Sequence, residues 1–211
     1  LPKKVEDGRI EDIRECIGCN ICITGDMTMS ISRCTQNPTF MEEWRKGWHP
    51  ERMNAKGASN NVLVVGAGPA GLEATKALAE RGYDVVLAEA TEILGGRVAR
   101  ERHLPGLSAW GRVVDYREFH IKKKPNVEVY LDSALGADAI LEFGFEHICL
   151  ATGSAWRRDG VSRQHVVPMP VSKATNVFTP DDIMSGVRPS GHVLIYDDDH
   201  YYMGGVLAEL L

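Results

Sequence analysis

Cysteine is nearly absent beyond one short stretch of this 211-residue sequence: of five, four fall within the first 34 residues and the fifth stands alone at position 149. Such crowding argues against the disulfide framework of a small secreted fold, which spreads its pairs along the chain. It favours a metal site in a reducing compartment, so a cytoplasmic location is expected. Long apolar runs are missing as well. None approaches the roughly 18 residues that a membrane-spanning helix needs, and nothing at the start reads as a signal peptide. Basic excess is lacking too: 24 Lys and Arg against 29 Asp and Glu leave a net charge of −5, so no nucleic-acid-binding face is expected. Neither an internal repeat nor a low-complexity tract interrupts the chain. An initiator Met is absent, and Leu211 falls within what reads as the first turns of a helix, so the sequence is expected to be a fragment.

What is present is the composition of an ordinary α/β protein, 44% hydrophobic and 25% charged, with enough chain for one or two domains. Residues 1–15 are charged and aperiodic and read as a linker. Residues 16–34 hold the cysteines among Gly, Asn, Thr and Ser and read as a loop-rich clip. An irregular arm follows over 35–60, broken by Pro38, Gly47, Pro50 and Gly57, with Phe40, Trp44 and Trp48 expected to pack it against a neighbour.

The pattern changes at Val62-Leu63-Val64-Val65, a short continuous apolar run of the kind buried on both faces of a parallel sheet. A helix is expected over Pro69–Arg81, stopped by Gly82, then a strand over Asp84–Ala88. This strand–helix–strand unit implies a parallel crossover. Further helices are expected at 109–122 and 137–143, with strands at 127–131 and 147–151. Cys149, inside the last strand, is expected to be an inert buried residue. Residues 154–190, with Pro168, Pro170, Pro180 and Pro189, read as a connection. A strand at 193–196 is expected to open a second unit. The domain boundaries are thus 1–60, 61–153 for a Rossmann-like nucleotide domain, and 154–211 for the connection and the start of a second Rossmann-like domain.

Two constellations carry chemistry. Cys16-Ile17-Gly18-Cys19-Asn20-Ile21-Cys22 places three thiols at three-residue intervals, and Cys34 follows after eleven more residues. Three ligands from one tight loop and a fourth from farther along meet the geometric demand of a [4Fe–4S] cubane. Gly18 lets the backbone bend close to the sulfides. Structural zinc also takes four cysteines, but more often as two separated pairs; it remains the alternative.

The second constellation is Gly66-Ala67-Gly68-Pro69-Ala70-Gly71, which follows a strand and opens a helix. Glu89 ends the next strand, 18 residues beyond Gly71. In such a fingerprint the first glycine makes the tight turn, the second lets the backbone approach a pyrophosphate, and the third allows close helix–strand packing. Glu89 suits ribose hydroxyls and would repel the 2′-phosphate of NADP. With Ala90 beside the acid, and Gly96 and Arg97 in the following Leu94-Gly95-Gly96-Arg97, these residues form the expected cofactor site. A plain glycine turn, and Arg97 as a solvated surface charge, are the bland alternatives.

Taken together, Cys-Ile-Gly-Cys-Asn-Ile-Cys, Cys34-Thr-Gln-Asn, Gly47-Trp-His-Pro and Gly66-Ala-Gly-Pro-Ala-Gly resemble the trimethylamine dehydrogenase family. That family includes dimethylamine and histamine dehydrogenases, N-methyl amino-acid demethylases and 2,4-dienoyl-CoA reductase. The resemblance covers essentially the whole sequence and runs to Ala151-Thr152-Gly153. The two-residue gap between Cys19 and Cys22 resembles the amine dehydrogenase branch; the reductase branch carries one residue more. The resemblance implies a longer enzyme with an upstream TIM barrel holding FMN, where a small amine is oxidised. It also implies FAD or ADP in the Rossmann site, an electron-acceptor protein such as an electron-transfer flavoprotein, and a homo-oligomer. No residue of this chain is then expected to be catalytic. NAD(P) is the open question. Where reductases of this architecture carry a second glycine fingerprint, this chain has Asp197-Asp198-Asp199-His200-Tyr201-Tyr202-Met203-Gly204, whose acids would repel a pyrophosphate. A metal at these acids is the lesser alternative to a solvated loop.

Three readings of function follow: an electron-transfer and nucleotide-binding part of an amine dehydrogenase or demethylase, an NAD(P)H-dependent ene-reductase, or a nucleotide-binding module with a zinc clip. Trp48-His49-Pro50 read as a packed arm, and Arg100 and Arg102 as solvated neighbours of Arg97.

Overall fold

In the computed structural model, residues 2–41, 54–162 and 164–211 are described. The N-terminal stretch is more ordered than a linker. It forms α1 (Pro2–Glu6) and a single 3₁₀ turn at Ile10–Asp12. The cysteine segment likewise contains a helix, α2 (Ile21–Met27), entered through Asn20 in the left-handed conformation at φ 57°. Its Ile, Thr and Gly residues are weak helix formers, which hides it from sequence reading. Phe40 is half-buried; Trp44, Trp48, His49 and Pro50 lie outside the described residues.

β1 (Asn61–Val65), α3 (Pro69–Glu80) and β2 (Asp84–Ala88) match their expected ranges. α4 (Arg97–Glu101) comes next. The helix expected from position 109 begins as a 3₁₀ turn at Ser108–Gly111 and becomes α-helical only in α5 (Arg112–Lys122). β3 (Val127–Tyr130), α6 (Ala137–Glu142) and β4 (His147–Leu150) complete the sheet. All four strands are parallel, in the order β3-β2-β1-β4, with Val62 opposite both Val85 and His147.

The layers follow from the side-chain pattern. β1 is central, so four of its five residues are buried and its sequence runs apolar without alternation. α3 buries Gly71, Leu72, Thr75, Lys76 and Ala79, and α5 buries Val113, Val114, Arg117, His120 and Ile121. Each set is a single stripe at helical spacing. Val62, Val64, Val85, Leu87, Leu72 and Ile121 form the core between these helices and the sheet. Burial of each large side chain there contributes about 1.5–3 kcal/mol. Cys149 is only partly buried, because β4 is an edge strand; it packs on this core from the side.

The chain divides into two compact units, residues 1–99 with 109–152, and residues 100–108 with 153–211. The second unit contains α7 (Pro180–Met184) and α8 (Met203–Leu210). Within it Thr179 and Asp182 form a reciprocal capping box on α7. The hydrogen bond from the Thr179 backbone and the Arg158 guanidinium hold the Asp182 carboxyl down at about 2. The strand expected at 193–196 is not formed, and Leu194 is 92% exposed. A strand needs a hydrogen-bonded neighbour, and among the described residues of this unit there is none. No helix among the described residues is long and apolar enough to cross a membrane.

Candidate functional site

The strand order places a reversal of direction at β1: the chain moves outward through β2 and β3, then returns to the other side of β1 with β4. Ligands of open parallel sheets sit beyond the carboxyl ends of the strands at such a switch point. Gly66 to Gly71 occupy that position.

The glycines there have different reasons to be glycine. Gly66 has φ 98°, and a Cβ on it would run into the Ala151 carbonyl. Gly71 lies so close to the Gly66 carbonyl oxygen that any side chain would collide. Both are demanded by the fold. Gly68 is not. It has φ −67° and ψ −179°, which any residue adopts, and a Cβ there would meet nothing within 4 Å. No steric demand requires glycine at 68, although it suits the N-cap of α3, and open space directly before a helix N-terminus is where a pyrophosphate would press against the backbone. Pro69, which has no backbone N–H, starts α3, and the Ala70 and Gly71 amides that follow in the first turn have no intrahelical acceptor.

Glu89 follows β2 and is buried. One carboxylate oxygen accepts from the Ala67 backbone at 2.7 Å; the other accepts from the Thr91 backbone and hydroxyl at 3.0 and 2.9 Å. The acid is thereby tied to the glycine turn, and an ionised carboxylate has further lone pairs for ribose hydroxyls. Ala90, its neighbour, is exposed. The Gly95 amide bonds the Ala67 carbonyl at 2.8 Å, and a Cβ on Gly96 would lie 3.1 Å from Gly68 Cα. Hence the second glycine pair does come beside the fingerprint, and Arg97 begins α4 directly after it. Thr91 was not anticipated; a hydroxyl residue two positions past the acid, able to cap it in a side-chain turn, was the available signal.

None of the four thiols Cys16, Cys19, Cys22 and Cys34 is in a disulfide; one is exposed and three are half-exposed. Their backbone has the features a cluster loop requires. Gly18, at φ 70°, and the left-handed Asn20 flank Cys19, and the Gly18 amide lies 3.4 Å from Cys16 Sγ. Cys19 Sγ contacts Thr35 Oγ1 at 3.2 Å, which places it beside the stretch that carries Cys34. Ser32 Oγ donates to the Cys22 carbonyl at 3.0 Å, and the backbone of Ser32 packs against Gly25 of α2. As placed, however, no three ligand-type side chains among the described residues converge closely enough to grip a metal ion, Asp197 to His200 included. The donor chemistry and the turns fit a four-thiolate group.

The described fold agrees with known proteins. A model of NAD(P)-binding Rossmann-like domains matches residues 64–134. Dimethylamine dehydrogenase of Hyphomicrobium sp. (strain x) is 41% identical over 99% of this chain and 30% of its own length. The solved structure of histamine dehydrogenase from Rhizobium sp. 4-9 is 77% identical with a TM-score of 0.93, over 100% of this chain and 33% of that one. That of 6-hydroxypseudooxynicotine amine oxidase from Pseudomonas geniculata N1 is 51% identical, also at 0.93, over 100% and 32%. Over its whole length the chain is homologous to one stretch of the dimethylamine and histamine dehydrogenases. These homologues are oxidoreductases, and the chain spans about a third of their length.

The second unit reads differently from the first. At the start of α8 the Asp197 carboxylate lies against Gly204, where a Cβ would come within 2.5 Å of Oδ2. Asp197 Oδ1 also accepts from the backbones of Asp199 and His200 at 3.2 and 3.1 Å. Asp198 accepts from Ser162, Gln164 and Tyr196. These acids are engaged in holding their own loop.

Proposed function

We propose that this chain is the cluster-bearing and nucleotide-binding part of an amine-oxidising flavoprotein, a dehydrogenase or N-demethylase. Cys16, Cys19, Cys22 and Cys34 would hold a [4Fe–4S] cluster, which supplies a one-electron relay between flavin and acceptor. Gly66, Gly68 and Gly71, with Glu89 and Gly96, would hold the ADP portion of a nucleotide, either FAD or ADP itself. The substrate, a small amine, would meet FMN in a TIM barrel outside this chain. Electrons would leave to an acceptor such as an electron-transfer flavoprotein, and the enzyme would be a homo-oligomer.

Gly68 supports the nucleotide half of this reading: it stands in open space with an ordinary backbone conformation, directly before the N-terminus of α3. Against the reductase alternative, the Asp197 carboxylate stands where a second pyrophosphate would need the start of α8; like charges there disfavour NAD(P)H. The test is analysis of the full-length protein prepared without oxygen. About four iron and four labile sulfide per chain are expected, with extractable ADP or FAD and no cluster reduction by NADH. Stoichiometric zinc without sulfide would defeat the cluster assignment.

A further inference from the structure

A partly buried charge cluster lies beneath the cysteine segment. Glu73, in α3 two residues beyond Gly71, accepts both terminal nitrogens of Arg14 at 2.9 Å, one on each carboxylate oxygen. Arg117 of α5, its side chain only 3% exposed, brings Nε to 2.7 Å from the same carboxylate. This is a charge contact rather than a directed hydrogen bond. Arg117 also donates to the Gln36 side chain at 2.9 Å and to the Thr35 and Gln36 carbonyls at 3.3 and 3.4 Å. Arg14 donates to the Gln36 carbonyl, and Gln36 Nε2 donates to the Glu15 carbonyl at 3.2 Å. Arg112 of α5 donates to the Cys16 carbonyl at 3.0 Å.

Apart from the Val113 carbonyl within α5, which Arg117 also bonds at 2.8 Å, the main-chain groups held in this way sit beside one of two thiols. Glu15 and Cys16 enter the segment; Thr35 and Gln36 leave it just after Cys34. The first and last cysteines are thus pinned to one pair of helices, while the loop between them carries Cys19 and Cys22. Without pins, closing such a loop costs chain entropy that the ligands themselves would have to supply. Two guanidiniums side by side in a partly buried site also require a counter-charge, and Glu73 is the acid shared by both.

We infer that Glu73 is a positioning residue for the cluster: through Arg14, Arg117 and Gln36 it fixes the separation of Cys16 and Cys34. This rests on the cluster reading above. The same helix offers its first turn to the nucleotide, so α3 serves both sites.

The test uses full-length holoenzyme carrying Glu73→Gln, Glu73→Asp or Gln36→Leu. Three quantities are read: iron and labile sulfide per chain, the electron paramagnetic resonance spectrum of the reduced cluster, and bound nucleotide. Glu73→Gln and Gln36→Leu should each lose their cluster in air about tenfold faster than wild type, with an altered spectrum, while nucleotide content stays unchanged. Glu73→Asp, which keeps the charge, should fall between. If Glu73→Gln is insoluble, Gln36→Leu decides alone, since it leaves the ion cluster intact. Wild-type spectra and cluster lifetimes in the soluble variants would overturn the positioning role. Wild-type protein without iron and sulfide would overturn the cluster reading itself, and this role with it.

Discussion

At the scale of single residues, the three glycines of the fingerprint make separable predictions. Gly71→Ala forces a methyl onto the Gly66 carbonyl and should destabilise the fold, seen as a lower melting temperature. Gly68→Ala meets no protein atom and forfeits only the N-cap preference of α3, so the melting temperature of nucleotide-free protein should fall much less than in Gly71→Ala while ADP affinity, measured by calorimetry, falls. Equal loss of stability in both would argue against a ligand at position 68. These residues were legible in the sequence because each satisfies one local demand. Arg14, Glu73 and Arg117 were not. Arg14 and Glu73 are 59 residues apart, and charged residues at such separations leave no periodic signature.

Glu73 also gives a pH dependence. Burial by itself would push its carboxyl up, but the Arg14 hydrogen bonds and the charges of Arg117, Arg14 and Lys76 outweigh that and hold it below its ordinary value of 4.5. A carboxyl lowered in the folded state binds its proton more readily when unfolded. Its contribution is therefore present above 4.5, and it is lost as pH falls through the lowered folded value. Glu73→Gln should cost about 3–5 kcal/mol near neutrality. In thermal melts followed by circular dichroism, the gap between wild type and variant should narrow below the ordinary carboxylate range. A gap that stays constant into acid would contradict the ion pairing.

At the scale of elements, β1, α3 and β2 were readable because burial on both faces, helical spacing and a glycine stop all agree. Leu72 is fully buried where α3 meets the sheet, so Leu72→Ala should cost about 2–5 kcal/mol in denaturant unfolding. Residues 193–196 have the same apolar look as β1 yet form no strand. Local pattern states which residues favour a strand; it does not supply a neighbour to pair with. α2 failed in the opposite sense, since its weak helix formers conceal a turn begun by Asn20. The N-terminal segment was misread for a related reason: its order comes from docking on α5, where Glu11 and Asp12 meet His120 and Lys123.

At the scale of the whole molecule, the sheet is covered unevenly. Val129, Tyr130, Leu131, Leu141, Ile148 and Leu150 are exposed, Leu150 to 67%. Apolar groups this numerous on edge strands β3 and β4, just after β3 and on α6 form a ready association surface. The chain on its own should therefore bind a hydrophobic dye strongly, whereas full-length protein should bind it weakly. Ligand linkage then distinguishes the nucleotide site from that surface. A ligand that binds only the folded chain adds about 2.7 kcal/mol at a hundred times its dissociation constant. ADP or FAD should raise the melting temperature accordingly, and Glu89→Ala should abolish most of that gain, because the acid ties the ribose position to the Ala67 amide. NADPH should give none: its 2′-phosphate would face Glu89 at the first site, and Asp197 stands at the second. An equal rise with NADPH would mean that these two carboxylates do not guard the sites, and the reductase reading would return.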